Sequence, residues 1–214
     1  MNKSGSNVKP IKSVLDLRRW EKVLEKDGPE KIHVYFRLAL DTGMLPSVLQ
    51  KLKWADLKTE EQGEHLKRTG IYFEVATKVE WDKPYKKIYL SDHCMELLDQ
   101  LRMHHPDDIY IFQSRSPHAR KNPRPLTIQR ITLELKRTAV ASGIIPAEEP
   151  FGALTLRKSY GYHHIVHGVW TVHEMMRYLE QHSLKITCQY LDLPEDVPLG
   201  CTPRRRSPRN KKEN

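Results

Sequence analysis

The side chains best suited to chemistry lie in the stretch from residue 151 to residue 191. An arginine, Arg157, opens an apolar helix in this stretch, and Gly168 ends that helix. A second helix follows, and a tyrosine, Tyr190, lies at the end. A planar guanidinium matches the geometry of a phosphate group through paired hydrogen bonds. The order of these residues, more than any one of them, is the informative feature.

Histidines are concentrated on the same helix. It carries His163, His164 and His167, and His173 follows it. His163 and His167 are four residues apart, so a helix places them on one face, where they could form part of a metal site. No cysteine or carboxylate completes a recognisable site. The sequence therefore predicts no metal and no other cofactor.

Positive charge is concentrated in two segments of a chain whose net charge is +9. Residues 115–137 contain seven arginines and lysines against one glutamate, and residues 201–214 contain six against one. Clustered positive charge is typical of proteins that bind a polyanion, most often nucleic acid. A merely solvated surface is the alternative for residues 115–137. The basic residues of this segment are Arg115, Arg120, Lys121, Arg124, Arg130, Lys136 and Arg137.

Composition favours one soluble globular domain. The 214 residues are 38% hydrophobic and 29% charged, which is enough for one core. No apolar run approaches the roughly 18 residues of a membrane span, so no membrane partner is expected. The N-terminal residues lack the apolar region of a signal peptide. Cys94, Cys188 and Cys201 show no disulfide or metal spacing, as suits a cytoplasmic protein.

The elements that position these residues are mostly helices. The strand signal is confined to residues 71–78 and 86–90, which flank a polar turn at residues 80–85 and predict a hairpin of a small antiparallel sheet. Residues 114–125 are a basic loop. Apolar spacing and capping residues predict helices at about residues 13–26, 30–41, 46–54, 91–101, 127–143, 155–167, 171–179 and 184–191.

We therefore predict an α+β fold, a mainly helical single domain with a small antiparallel β-sheet. The domain spans residues 13–193. A disordered arm, residues 1–12, precedes it, and a basic disordered tail, residues 194–214, follows it.

Four segments, in order, resemble the catalytic domain of the tyrosine recombinase (phage integrase) family. ALDTGMLPSVLQKLKWADL, residues 39–57, is similar to the first box of the family. Phe112, the basic loop and PLTIQRI resemble the connector into the long central helix of the family. LRKSYGYHHIVHG, residues 156–168, is similar to the second box, and Tyr190 closes the pattern. The resemblance covers roughly residues 14–191 and implies the catalytic-domain fold.

The resemblance also implies roles in DNA strand cleavage. Arg157 corresponds to an arginine that holds the scissile phosphate, and Tyr190 corresponds to the tyrosine that attacks it. Lys78, at the end of the first hairpin strand, lies near the position of the catalytic lysine, with Lys83 in the turn as a rival. His182 is one residue from the position at which the family has a histidine or tryptophan.

Three positions depart from the family pattern. The first-box arginine falls on Leu45, and the histidine three residues before Arg157 falls on Leu154. The family position that carries a histidine or tryptophan ahead of the tyrosine falls on Gln181, and the residue before it is Glu180. Leucine cannot donate to a phosphate oxygen, and losing one preorganised donor typically costs on the order of a hundredfold in rate. An acid at residue 180 would repel a phosphate.

The preferred hypothesis is a double-stranded DNA-binding protein with a degenerate recombinase site. It would act as a regulator or accessory factor of a mobile genetic element in the nucleoid, with itself or another recombinase subunit as a further partner. Its strand cleavage would be lost or strongly impaired, so it would not act as an enzyme. Beyond the basic segment 115–137, the expected DNA contacts are Arg157, Lys83, Lys86, Arg204, Arg205 and Arg206.

Two alternatives remain open at this stage. One is an active site-specific recombinase that forms a 3′-phosphotyrosyl intermediate through Tyr190, assisted by Arg157, Lys78 or Lys83, and His182. The other is a helical protein–protein interaction domain with a basic tail.

Overall fold

The structure, a computed structural model, describes residues 8–61, 69–76, 85–194 and 197. Within these ranges it is mainly helical with one small antiparallel sheet, which confirms the predicted fold class. None of the helices in the described ranges is long and apolar enough to cross a membrane. The elements are α1 (Val14–Asp27), α2 (Glu30–Thr42), α3 (Pro46–Leu49), β1 (Leu57–Glu61), β2 (Thr69–Ala76), β3 (Tyr85–Tyr89), α4 (Asp92–His104), α5 (Pro117–Lys121), α6 (Ile128–Ala141), α7 (Leu154–Val166), α8 (Val172–Tyr178) and α9 (Leu184–Leu191).

Several helices begin at the capping residues that the sequence predicts. The Ser13 hydroxyl accepts a hydrogen bond from the Asp16 amide at the start of α1, and Thr127 caps α6 in the same way. Thr171 and Glu174 form a reciprocal capping box at the start of α8. These bonds satisfy amides that have no partner within their own helix, which fixes where each helix begins.

Helix α2 is the centre of the main core. It packs against α1, α4, α6 and α7. Its Phe36 ring meets Trp20 edge-on at 4.8 Å, and its Tyr35 ring meets Phe112 at 5.2 Å. All four aromatic side chains are fully buried. Burying a large apolar side chain contributes about 1.5–3 kcal/mol, so α2 supplies much of the stability of the domain.

The sheet has three strands in the order β1-β2-β3, all antiparallel. The β2–β3 pairing matches the predicted hairpin. Leu57 pairs with Phe73, and Phe73 pairs with Ile88, so these three residues form one row across the sheet. Phe73 and Ile88 are buried in the main core, and Leu57 packs against it. The sequence did not predict β1, because LKTEE lacks the apolar alternation of a strand.

The third helix is shorter than predicted, since α3 ends at Leu49 rather than near residue 54. Lys53 forms an isolated β-bridge with Tyr110, and the Trp54 amide donates to the Ile109 carbonyl. These contacts with a distant segment hold Lys53 in an extended conformation. Tertiary pairing therefore overrides the local helical pattern here.

A second apolar cluster joins α7 to α8 and α9. Its buried members include Tyr160, Met175, Leu179 and Leu191. Gly161 on α7 permits the close approach of α9, because a Cβ at this position would lie 2.7 Å from Leu191 Cδ2. The C-terminal helices are thus packed onto α7 rather than extended from it.

The segment at residues 8–12 is part of the packed structure, whereas the sequence predicts a disordered arm through residue 12. Val8 is buried, and its carbonyl accepts a hydrogen bond from Lys158 Nζ at 2.7 Å. The Ile11 amide donates to Ser159 Oγ at 2.8 Å. These polar groups of α7, which the sequence could not assign to a partner, hold the segment against the domain.

Candidate nucleic-acid interface

Arg157 is the buried centre of the candidate site. It lies in the first turn of α7 and is only 6% exposed. Its Nη1 donates to the carbonyl of Gly43 at 2.6 Å, and its Nη2 donates to the carbonyl of Leu179 at 3.1 Å. The guanidinium therefore joins the turn after α2 to the end of α8. A guanidinium has five N–H donors, and these bonds use two of them.

The turn after α2 is also held by Tyr178, the last residue of α8. Its hydroxyl donates to the carbonyl of Thr42. Gly43 has φ +57°, in the left-handed region, and a Cβ there would lie 2.2 Å from Tyr160 Cδ1. Only glycine fits both the backbone conformation and the close ring. Burial raises the pKa of Tyr178 to about 12, so its hydroxyl remains a donor at neutral pH.

Lys86 and Glu180 form an ion pair beside Arg157. Lys86 Nζ, on β3, donates to the Tyr178 carbonyl at 2.8 Å and lies 3.4 Å from Glu180 Oε1. The same ammonium lies 4.3 Å from the centre of the Tyr178 ring. Glu180 has φ +58°, an uncommon conformation for a residue with a side chain. The sequence predicted Lys86 only as one of several DNA contacts, and the structure places it beside Arg157.

A small cavity of about 50 Å³ lies among these groups. Arg157, Lys86 and Glu180 supply its charged walls. Leu45 lies on its wall, at the position where the recombinase family pattern has an arginine. Leu154, the first residue of α7, does not line it. The cavity therefore has two cationic side chains, one carboxylate and otherwise mostly apolar walls.

Tyr190 lies close to Arg157. Burial raises the pKa of its hydroxyl, and the charge and hydrogen-bonding capacity of Arg157 oppose that rise. Lys158 Nζ is 4.8 Å from the centre of the Tyr190 ring. The structure thus brings Arg157 and Tyr190 together and adds Lys158, which sequence reasoning missed. Its place in the sequence was no signal for this position, because consecutive residues of a helix do not face the same way.

Solved structures of several recombinases are similar to this arrangement of elements. XerH site-specific recombinase bound to difH substrate is 17% identical, with a TM-score of 0.64 over 86% of this chain and 50% of that chain. XerA recombinase is 16% identical, with a TM-score of 0.62 over 92% of this chain and 63% of that chain. A lambda integrase dimer bound to a COC′ core site is 18% identical, with a TM-score of 0.58 over 86% and 48%.

The chain has the fold of a tyrosine recombinase catalytic domain. It spans between about half and 63% of the length of the three solved proteins. No protein-family model matches the sequence, and a search of curated proteins finds no match either.

Other residues assigned by the sequence lie away from this centre or outside the described residues. His182 is exposed in the connection between α8 and α9 of the recombinase fold. Lys78, Lys83, and the tail residues Arg204, Arg205 and Arg206 lie outside the described residues. Among the described residues of the hairpin, Lys86 is a lysine that lines the cavity.

The basic segment of the recombinase fold divides into paired and unpaired cations. Its predicted loop contains the short helix α5, capped by Ser116. Arg130 and Arg137 both bind Glu134, which is buried, at 2.7 and 3.0 Å. Arg115 lies 3.1 Å from Asp108 Oδ1. Three of the seven predicted DNA contacts are therefore already in ion pairs. Among the described residues Arg120, Lys121 and Arg124 are exposed and form no ion pair.

A buried ion pair fixes the basic segment to the core. Lys31 Nζ on α2 lies 2.6 Å from Asp108 Oδ2 and donates to the Gln113 carbonyl at 2.8 Å. Burial lowers the pKa of Lys31, and the hydrogen bond that Lys31 donates to Asp108 opposes that shift. Gln113 in turn pairs with Pro125 through a β-bridge that closes the loop at its base. The exposed cations are thus carried on an anchored loop.

The histidines of α7 have structural partners. His163 Nε2 donates to the Ile11 carbonyl at 2.9 Å, and His164 Nδ1 donates to the Tyr160 carbonyl at 2.8 Å. Burial lowers the pKa of both side chains, which favours their neutral forms. Within the ranges that the structure describes, no group of three or more potential ligands could hold a metal ion.

Proposed function

We propose that this protein binds duplex DNA on a recombinase catalytic fold and has lost, or strongly impaired, strand cleavage. It would act as a regulator or accessory factor of a mobile genetic element, on DNA in the nucleoid. Its partners there would be a second copy of the chain or another recombinase subunit. The observation that carries the proposal is the commitment of Arg157 to two backbone carbonyls within a recombinase fold.

DNA binding is supported by the charge and the fold together. Arg120, Lys121 and Arg124 are exposed on a loop that Asp108 and Lys31 anchor to the core. Phosphate contacts from such cations supply most of the sequence-independent affinity for DNA. Solved proteins with this fold include XerH bound to difH substrate and lambda integrase bound to DNA.

Loss of cleavage is supported by the composition of the cavity. A phosphoryl transition state needs preorganised donors at the phosphate oxygens, and each missing donor costs about a hundredfold or more. Leu45 supplies an aliphatic side chain to the cavity, and Leu154 does not line it. Arg157 already donates to Gly43 and Leu179, so binding a phosphate would need its remaining N–H groups.

The second candidate is an active recombinase, favoured by the closeness of Tyr190 to Arg157. A tyrosine attacks phosphorus as the phenolate or while losing its proton to a base. Burial raises the pKa of Tyr190, so the hydroxyl is protonated at neutral pH and needs such a base. Lys158 Nζ lies 4.8 Å from the centre of the ring, and burial lowers its pKa from the ordinary value of a lysine, so Lys158 is the candidate for that base.

A nicked duplex that traps covalent intermediates separates the two candidates. The purified full chain is incubated with labelled duplex, and the products are resolved on native and denaturing gels. The proposal predicts a retarded duplex on the native gel, weakened as salt rises, and no covalent adduct on the denaturing gel. A covalent adduct that the wild-type chain forms and Tyr190→Phe does not form would instead establish the active recombinase. No retardation at low salt would overturn DNA binding.

A further inference from the structure

The unusual feature of the cavity is that a carboxylate of the chain offsets part of its positive charge. Glu180 follows α8 and places its carboxylate 3.4 Å from Lys86 Nζ. Arg157 lines the same cavity. The cavity thus contains two cations and a carboxylate that pairs with one of them. This arrangement resembles an anion site that is already occupied. A carboxylate and a phosphate oxygen accept the same N–H donors.

The backbone at Glu180 has a cost that needs a compensating contact. Its φ of +58° is in the left-handed region, which is unfavourable for a residue with a Cβ. Glycine adopts this conformation without that cost. Strained backbone conformations persist where surrounding contacts impose them, and they often mark functional sites. Glu180 follows the C-cap residue of α8, and the Gln181 amide donates to the Met176 carbonyl, so the helix end imposes this conformation and the Lys86 ion pair adds a further contact.

Glu180 and a phosphate would use the same donors. The cavity is small, with a volume of about 50 Å³, and Glu180 is one of its lining residues. A phosphate that contacts Lys86 Nζ would therefore compete with the Glu180 carboxylate for its N–H groups. Glu180 is partly exposed, so its side chain has solvent to turn into.

We propose that the cavity lined by Arg157 and Lys86 is a phosphate-binding site that Glu180 occupies as an internal substitute for a phosphate group. This deepens the proposed function, on which it rests for the source of the phosphate, a DNA backbone. Glu180 thereby sets the affinity of the protein for DNA. It lowers the affinity because a phosphate must compete with the carboxylate for Lys86.

The charge at residue 180 is tested with Glu180→Gln and Glu180→Gly, the latter chosen because glycine fits the positive φ. Glu148→Gln removes one charge from an exposed position away from the cavity and is the matched control. Anisotropy with labelled duplex is measured over a series of salt concentrations. Both Glu180 variants are expected to bind DNA roughly tenfold more tightly than wild type, whereas Glu148→Gln changes affinity less than twofold. Their plots of log affinity against log salt should steepen by about 0.9, the value for one more phosphate contact.

A second assay replaces DNA by inorganic phosphate. The melting temperature is compared in phosphate and chloride at equal ionic strength. Phosphate should raise the melting temperature of Glu180→Gln, and the effect should disappear in Glu180→Gln combined with Lys86→Met. A phosphate effect without DNA binding by any variant would overturn the proposed function and leave the anion site intact. DNA binding with Glu180 variants that match Glu148→Gln in both assays would overturn the anion site and leave the proposed function intact.

Discussion

Arg157 Nη1 donates a 2.6 Å hydrogen bond to the carbonyl of Gly43, which lies 114 residues earlier in the chain. The bond connects the first turn of α7 with the turn that ends α2. The Nη2 bond to Leu179 extends the same connection to the end of α8. In a site that cuts DNA, an arginine in this position would contribute charge to a phosphate. Here it contributes first to the packing of three helices.

Replacing Arg157 should therefore reduce stability before it affects DNA binding. Arg157→Met leaves two buried carbonyl groups without donors, at about 1–3 kcal/mol each. We expect the free energy of unfolding in urea to fall by roughly 2–5 kcal/mol, with Arg157→Lys intermediate because an ammonium group lacks the planar fork. Arg18→Met, at an exposed position on α1, is the control. Full stability of Arg157→Met together with lost DNA binding would show that the arginine contributes to phosphate binding alone and not to the packing.

Gly43 and Gly143 form a matched pair for testing how closely the turn packs on α7. Both have positive φ, +57° and +66°. An alanine Cβ at residue 43 would lie 2.2 Å from Tyr160 Cδ1, and nothing lies within 4 Å at residue 143. Both alanine variants carry the backbone cost of about 1–2 kcal/mol. Gly43→Ala should cost about 1–3 kcal/mol more because of overpacking. Equal free energies of unfolding for the two variants would show that the turn can move away from Tyr160.

The sequence predicted well what depends on neighbouring residues. Ser13, Thr127 and the pair Thr171 and Glu174 act within one helical turn, and the structure has each of them as a cap. The segments that resemble parts of the recombinase family predicted the fold, because their order along the chain follows the order of its helices and strands. Strand β1 was missed, since its conformation depends on pairing with β2 rather than on its own residues.

The contacts of the site could not be predicted from the sequence, because they join residues that are far apart in the chain. The partners of Arg157 are backbone carbonyls 114 and 22 residues away, and a carbonyl has the same chemistry in every residue. The ion pair between Lys86 and Glu180 joins residues 94 apart. The sequence identified Glu180 as an acid in an unfavourable place. It could not show that a lysine on β3 compensates the charge.

Tyr178 should make stability sensitive to alkaline pH. Burial raises its pKa to about 12, above the value of about 10 in an unfolded chain. The unfolded state therefore loses the phenolic proton first, and stability that is fully present below pH 10 falls as the pH rises toward 12. The loss should approach about 2–3 kcal/mol at 1.36 kcal/mol per pH unit. Tyr178→Phe should show a shallower decline in unfolding free energy between pH 8 and 11.5, whereas Tyr89→Phe, an exposed position, should follow wild type. Parallel curves for wild type and Tyr178→Phe would contradict the assignment.

The exposed cations on and directly after α5 should account for more DNA affinity than Arg130 and Arg137, which form ion pairs on α6. Replacing Arg120, Lys121 and Arg124 together by glutamine should lower affinity for duplex DNA and reduce the slope of log affinity against log salt by roughly 1–3, since each lost phosphate contact removes about 0.9. The control replaces Lys22, Lys26 and Lys51, which are exposed elsewhere, and changes the net charge equally. Its slope should stay near that of wild type.

The paired residues provide a second comparison on the same segment. Arg130 and Arg137 hold the buried carboxylate of Glu134, so replacing both by glutamine leaves that charge without its partners. We expect this variant to lose stability in urea, because removing the partner of a buried charge is costly. Its salt slope should change less than that of the Arg120, Lys121 and Arg124 variant. If the Arg120, Lys121 and Arg124 variant and the control at Lys22, Lys26 and Lys51 bind DNA alike, affinity follows net charge alone, and the loop that contains α5 is not the contact surface.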